Sequence, residues 1–309
     1  MSNLYRFTAL TVAVSLCSIF TVEAARRVAS IATFSGGVAV KRAETGKVEL
    51  IKRKRTPLFE NDKIKTAKNG KATILFADGS RVDMAPATAM AIVFNGRQRE
   101  IAVSQGSLKS DIKKLPGQRT MFRTPAGVAA VKGTLVDLDV KSDSRIEISA
   151  DLGLLTHQIG ETETSADIEK GKKLSIGFEK ASNTVSTKSL VGMIDVRTKN
   201  LTTSLKQDVE VASQVDKSSD KVTLGVVSGV AQTRTTRGTQ VLMEKGDGVD
   251  FVQSAMGTTV TVVTGQITVI DSNGVRTKIE AGETAVELPG LWQEPETPEG
   301  FEVMIPPGT

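Results

Sequence analysis

The sequence predicts an all-β protein, a sandwich or β-solenoid-like stack of short strands, and three observations carry that expectation. Runs rich in Val, Ile, Thr and Phe recur about every 8–12 residues from Ala29 onward. Gly, Asn, Asp or Pro separates them. The clearest pair, Ala72–Ala77 and Ser80–Met84, is joined by Asp78-Gly79, which reads as a tight type I′ hairpin turn.

Taken in order, residues 1–25 read as a cleaved signal peptide. Arg6 precedes an uncharged run from Phe7 to Val22, and small residues at Ala24 and Ala25 suit a peptidase. The run is shorter than the ~20 apolar residues that span a bilayer, so no transmembrane span is expected after cleavage. Cys17, the only cysteine, lies inside it, which leaves the exported chain to be held by its core without disulfides and suits a periplasmic or secreted protein. Residues 26–178 carry the first β-region, with strands expected at 37–41, 47–51, 89–94, 100–103, 107–112, 119–123, 134–140 and 145–149. Over 184–217, Leu190, Ile194, Leu201, Leu205 and Val209 recur at intervals that predict an amphipathic helical segment, so 179–220 is expected to be a helical linker. A second β-region follows over 221–288, and the Pro-rich 289–309 reads as an extended tail. Thr124–Leu174 is echoed by Ser254–Thr284, which points to two copies of a stacking β-module.

Composition excludes much chemistry. One His and one Cys cannot form a zinc site of the usual Cys/His type or an iron–sulfur cluster, and no cofactor or metal is expected. His157 lies in a strand-like run and is expected to be a packed or surface residue, not a catalytic base. Asp78-Gly79-Ser80 reads as a hairpin tip in preference to a cation site. Gly246–Phe251 is a single copy of a calcium-type turn that needs stacked repeats to gather ligands. Gly36-Gly37 lacks the Lys-Ser/Thr of a phosphate loop. No catalytic residue is expected, and the chain is read as not an enzyme.

Several motifs in order resemble the FecR domain family. They are Gly36–Val40, Asn61-Asp62-Lys63-Ile64-Lys65-Thr66, Ala72–Ser80, Gln105–Ser107, Thr124-Pro125 and Val131–Thr134. The resemblance is strongest over residues 35–150. It implies a non-enzymatic all-β periplasmic module of signal transduction, one that takes a signal from an outer-membrane transporter and passes it toward a sigma-factor regulator. Only six residues precede the apolar run, so a direct grip on a sigma factor is not expected. Asn61 stands where the family has the first Gly of its Gly-Asp pair.

The formal net charge of +5 hides two opposite halves: residues 26–150 hold 24 basic and 12 acidic side chains, residues 151–309 hold 15 and 22. Lys52, Arg53, Lys54, Arg55, Lys63, Lys65, Lys68 and Lys71 fall within 20 residues, relieved only by Glu60 and Asp62. A solvated edge that discourages strand pairing accounts for such a cluster, and so does contact with a polyanion. The expected partner is an envelope protein with an acidic face or an anionic envelope polymer. Nucleic acid is not expected, since export removes the chain from it and the aromatic platform for single strands is missing. The reading is an exported binding or signal-relay module of the cell envelope. The alternative is a structural component that self-associates as a homo-oligomer or binds an anionic envelope polymer.

Overall fold

Buried and outward side chains alternate with a period of two through nearly all of the described chain, and strands follow that alternation. The computed structural model describes residues 26–296 apart from 96–97, 115, 132–134, 143, 153–154, 160–161, 217, 255–256 and 289–290. The expected signal peptide, with Cys17, and tail residues 297–309 lie outside the described residues.

The chain opens with β1 (Arg27–Ser35), β2 (Val38–Lys41), β3 (Val48–Leu50), β4 (Thr56–Phe59), β5 (Lys63–Thr66), β6 (Lys71–Phe76), β7 (Arg81–Met84) and β8 (Ala89–Asn95). A 14-residue strand follows, β9 (Gln98–Asp111), then β10 (Arg119–Thr124), β11 (Gly127–Val131), β12 (Leu135–Ser142), β13 (Arg145–Leu152), β14 (Leu155–Ile159) and β15 (Thr164–Ile168). The remainder is β16 (Lys172–Glu179), β17 (Thr184–Val191), β18 (Ile194–Thr198), β19 (Leu201–Leu205), β20 (Glu210–Asp216), β21 (Lys221–Ser228) and β22 (Val230–Thr235). These lead to β23 (Gln240–Glu244), β24 (Gly248–Gln253), β25 (Thr258–Thr264), β26 (Gln266–Ile270), β27 (Arg276–Glu280), β28 (Thr284–Leu288) and β29 (Leu291–Glu296).

Two long sheets result. The first runs β4-β1-β6-β7-β9-β12-β13-β16-β17-β20-β21-β24-β25-β28-β29. The second runs β3-β2-β5-β8-β9-β10-β11-β14-β15-β18-β19-β22-β23-β26-β27. All pairs are antiparallel except β9–β10. Inward side chains of both sheets form one hydrophobic cluster from Val28 to Ala285, the sandwich core.

Strand β9 belongs to both sheets. Its first half pairs with β8, and from Gly106 onward it pairs with β12. Gly106 (φ 81°) makes the crossing possible, because a Cβ there would stand 2.5–2.7 Å from Thr88 and the Ala87 carbonyl. Thr88 Oγ1 accepts from Ser107 N (3.0 Å) and donates to Ser107 O (2.9 Å), which stitches the bend.

From β12 the chain lays hairpins alternately in the two sheets, and a four-strand unit recurs about every 37 residues. Gly192, Gly229 and Gly265, all at positive φ, mark the step from the first sheet to the second. Gly171, Asp208, Gly246 and Gly282, also at positive φ, mark the return. The expected two-copy echo is therefore a smaller and more numerous repeat. Glu169–Lys172 and Glu280–Glu283 are equivalent turns, in which the fourth residue's N–H donates to the first carbonyl at 3.1 and 3.0 Å. Thr124–Gly127 and Ser254–Gly257, by contrast, turn in different sheets.

The amphipathic helical segment expected over 184–217 does not form; β17, β18, β19 and β20 occupy it. The inward row there is Val185, Thr187, Ser189, then Ile194, Val196, Thr198, then Leu201, Thr203, Leu205. Four of these nine are hydroxylated, so the large apolar residues alone imitate a helical spacing. The hydroxyls are satisfied across strands, Thr164 with Thr198 at 3.2 Å and Thr203 with Thr233 at 2.9 Å. Turns at Gly192, Lys199 and Asp208, each at positive φ, break any helix.

The hairpin at Asp78-Gly79 is present, but its turn is not type I′. Phe76 and Ser80 close a three-residue loop in which only Gly79 (φ 80°) has positive φ, the geometry of a type I turn with a glycine bulge. In the expected tail, Leu291–Glu296 is a strand paired with β28.

Candidate functional site

The eight cations expected to make contacts are divided by the fold among three neighbouring places at one end of the sandwich. Lys52–Arg55 form the exposed turn between β3 and β4, the outermost strands of the two sheets. Arg55 is held at φ 60° by its N–H on Ile31 O (2.7 Å), and Thr56 Oγ1 donates to Arg53 O (2.6 Å), so the backbone is pinned and the four side chains face solvent. Lys63 and Lys65 point outward from β5 in the second sheet. Lys68 sits in the turn before β6, and Lys71 faces outward at the start of β6 in the first sheet. The turn holding Lys68 is set by a close backbone crossing. Ala67 N donates to Gly37 O (2.8 Å), and a Cβ on Gly70 would stand 2.1 Å from that oxygen. Gly36-Gly37 thus serve close approach of two loops.

A buried carboxylate fixes the ground beneath the lysines. Asp62 side chain, 2% exposed, accepts from Phe59 N (3.0 Å), Ala43 N (3.0 Å) and Arg42 Nη1 (2.8 Å). Arg42 also reaches Glu49 (2.9 Å) and Pro57 O (2.9 Å) and lies over the Phe59 ring. Burial lowers the Arg42 pKa, and the bonds to Asp62 and Glu49 outweigh it, so the guanidinium stays above its ordinary value. Asn61 supplies the positive φ (64°) that turns Asp62 inward. Asp247 repeats the device at Gly246, bonding Glu244 N at 2.7 Å and Gln266 N at 3.2 Å, so the Gly246–Phe251 turn is a structural one. Replacing Asp62 by Ala strands a partly buried Arg42 and two backbone N–H donors, Ala43 N and Phe59 N, and is expected to cost about 2–4 kcal/mol in urea unfolding. A loss below about 1 kcal/mol would contradict that role.

None of the eight cations makes an ion pair among the described residues, and the outward row of the second sheet sharpens the point. Lys41 of β2 lies directly opposite Lys63 of β5, like charges facing across an antiparallel pair. Several outward cations elsewhere have partners, such as Lys113–Asp111 at 2.8 Å, Arg123–Glu100 at 2.7 Å and Arg197–Asp167 at 2.6 Å, so the basic end is set apart by the number of its unpaired cations and by the facing lysines. Around the unpaired lysines the outward neighbours are small. Ala39, Ala89, Ala91, Ala102 and Ser104 floor a trough of about 470 Å³ flanked by Lys41, Lys63 and Lys65.

The sequence reading missed the other polar cluster here. Arg99 points inward from β9 with its side chain 6% exposed. It donates to Asp78 Oδ2 (2.9 Å), Ser80 Oγ (3.1 Å) and Thr120 Oγ1 (2.8 Å), with the Phe76 ring 4.3 Å away. Burial pulls its pKa down while Asp78 opposes the fall. Asp78 is thus the counterion of Arg99. The available signal was register: Arg99, Ile101 and Val103 share one face of a strand. His157 lies on β14, its backbone opposite Ala129 and Ala166. Among the described residues no group of three His, Cys, Asp or Glu could hold a metal.

Residues 62–154 match the family model described as FecR protein. The chain carries a FecR domain. The FecR domain begins at the buried Asp62 and takes in Lys63, Lys65, Lys68, Lys71, Asp78 and Arg99, while Lys52–Arg55 stand just before it. No curated protein matches the chain. Among solved structures, it is similar to two crystal structures of a candidate anti-sigma factor from Parabacteroides distasonis ATCC 8503, each with a TM-score of 0.36 and 15% identity over 41% of this chain. The chain spans 59% of that protein's length. A further match, with a TM-score of 0.14 and 14% identity, is the TCP10 domain of Danio rerio CPAP in complex with a peptide of Danio rerio STIL, covering 71% of this chain and 99% of that one.

Proposed function

We propose that this protein is an exported, non-enzymatic FecR-domain module of the periplasm, which relays a signal in the cell envelope by docking an acidic protein face on its basic end. The observation that carries the reading is the unpaired charge. Facing Lys41 and Lys63 without a counterion costs stability, whereas outward cations such as Arg123 and Arg197 are paired across their strands. An anionic partner supplies what the fold leaves out. The FecR match supports a regulatory role over a catalytic one. Long-range attraction to the +12 half would speed encounter and make binding fall with salt.

Crosslinking in cells from positions 52–71, followed by mass spectrometry, tests this. Reversing Lys52, Arg53, Lys54 and Arg55 to Glu is expected to reduce the captured partner at least about tenfold, as loss of several charge contacts would. Reversing the paired Arg197 is expected to leave capture unchanged. Equal capture by both variants would sink the reading.

A self-associating structural component is the second reading. It is favoured by the uninterrupted ladders, which carry opposite charge toward their two ends and leave β3 and β4 outermost at one end and β27 and β29 at the other.

A further inference from the structure

The outward face of the second sheet at its basic end is apolar as well as cationic. Val48 and Leu50, on the outermost strand β3, are 67% and 69% exposed. Leu50 lies opposite Ala39, and Val48 opposite Lys41. Ala39 in turn faces Lys65, Lys63 faces Ala91, and Ala91 faces Ala102. Two rows of large apolar, small apolar and lysine side chains therefore run across four strands on the side away from the core. Short alanines beside long lysines leave the trough open, so an occupant of matching chemistry has apolar side chains for the floor and carboxylates for the rim.

The chain itself contains such a segment. After Lys278 no basic residue remains, whereas Glu280, Glu283, Glu287, Glu294, Glu296, Glu299 and Glu302 follow. Residues 299–305, Glu-Gly-Phe-Glu-Val-Met-Ile, combine two carboxylates with Phe301, Val303, Met304 and Ile305. We infer that residues 299–305 of a second copy dock in the trough formed by Val48, Ala39, Lys41, Lys63 and Lys65, joining copies head to tail. This rests on the reading of the basic end as a docking surface.

Reach decides between a chain's own tail and its neighbour's. In the second sheet β5 and β27 are twelve strand positions apart, about 58 Å at the usual inter-strand spacing. From Glu296 to Ile305 there are nine residues, which span about 30 Å when fully extended. The segment cannot return to its own trough. A tail-to-trough contact between copies is heterologous, so it adds copies one after another and does not close at a dimer.

Sedimentation of the chain from residue 26 to 309 tests this at low and high salt. At low salt the mean mass is expected to rise with concentration past that of a dimer, and to fall back at high salt as the carboxylate–lysine contacts are screened. A variant ending at Glu296 and the double variant Lys63→Glu/Lys65→Glu are each expected to stay monomeric at concentrations at least about tenfold higher. Lys63 and Lys65 face outward from β5, and an unchanged thermal midpoint checks that each variant keeps the fold. The two variants mixed together, one with an intact trough and the other with an intact tail, are expected to give a one-to-one dimer that grows no further. A full chain that stays monomeric at low salt overturns the inference, as does association of the truncated chain alone or a mixture that stays monomeric. The two readings fail separately, because partner capture is read from reversal of Lys52–Arg55 and self-association from the mixed variants.

Discussion

Replacing Asp78 by Ala is expected to cost about 3–5 kcal/mol of folding stability, the range for a buried ion pair that loses one partner. Arg99 keeps its charge, its side chain is 6% exposed, and Asp78 at 13% is its counterion. Ser80 and Thr120 satisfy some of the guanidinium's N–H groups, but neither offsets the charge. Arg99→Met removes the cation and leaves Asp78 with its bonds to Ser80 N (2.9 Å) and Ser80 Oγ (3.0 Å), so that variant is expected to lose less. The double variant is expected to recover much of the Asp78→Ala loss, giving a coupling of about 2 kcal/mol or more in a double-mutant cycle. Urea unfolding of the four proteins measures it. Additive losses would show that the pair does not act as a unit.

The second large effect is at Gly106. Gly106→Val is expected to destabilise by about 3 kcal/mol or more, since a β-branched residue at φ 81° is strained and its Cβ would meet Thr88 and Ala87 backbone atoms inside 3 Å. Gly79 is the matched control. Its φ is 80°, yet nothing lies within 4 Å of an added Cβ, so Gly79→Ala is expected to cost only about 1 kcal/mol. Thermal unfolding of Gly106→Ala beside Gly79→Ala isolates the contribution of the surroundings from that of the dihedral. Equal midpoints would mean that β9 can cross between sheets by another bend.

Much of the fold was legible because most strands announce themselves locally. The runs at 72–76, 222–227 and 258–263 place Val, Ile, Leu or Phe at all inward positions but Ala72 and Thr258, and the structure puts strands at each. Residues 184–217 misled because packing there accepts Thr and Ser at inward positions when their hydroxyls find partners. For Thr203 the partner is Thr233 on the next strand, 30 residues away in sequence, so a local window cannot see it. The repeat was legible only as an echo for the same reason. Its fixed features are single positive-φ positions filled by Gly, Asp or Lys, which carry no shared side chain.

Of the candidate site, the charges were legible and their grouping was not. Eight cations within 20 residues formed one cluster in the sequence, but the chain reverses several times between Lys52 and Lys71 and deals them to both sheets and to the turn at their end. The buried polar residues Arg42, Asp62, Asp78 and Arg99 were hidden by their type, since a charged side chain inside the sandwich depends on a counterion brought by another strand.

The sequence by itself determined the all-β class, the FecR resemblance borne by the motifs from Gly36 to Thr134, and the charge difference between the halves. Each depends on residue types and short spacings. Only the tertiary structure decided which cations lie unpaired beside an alanine floor, where β9 changes sheets, and that the ladders continue unbroken through 179–220. Those depend on register, because in a sheet each residue's neighbours are set by the strands on either side.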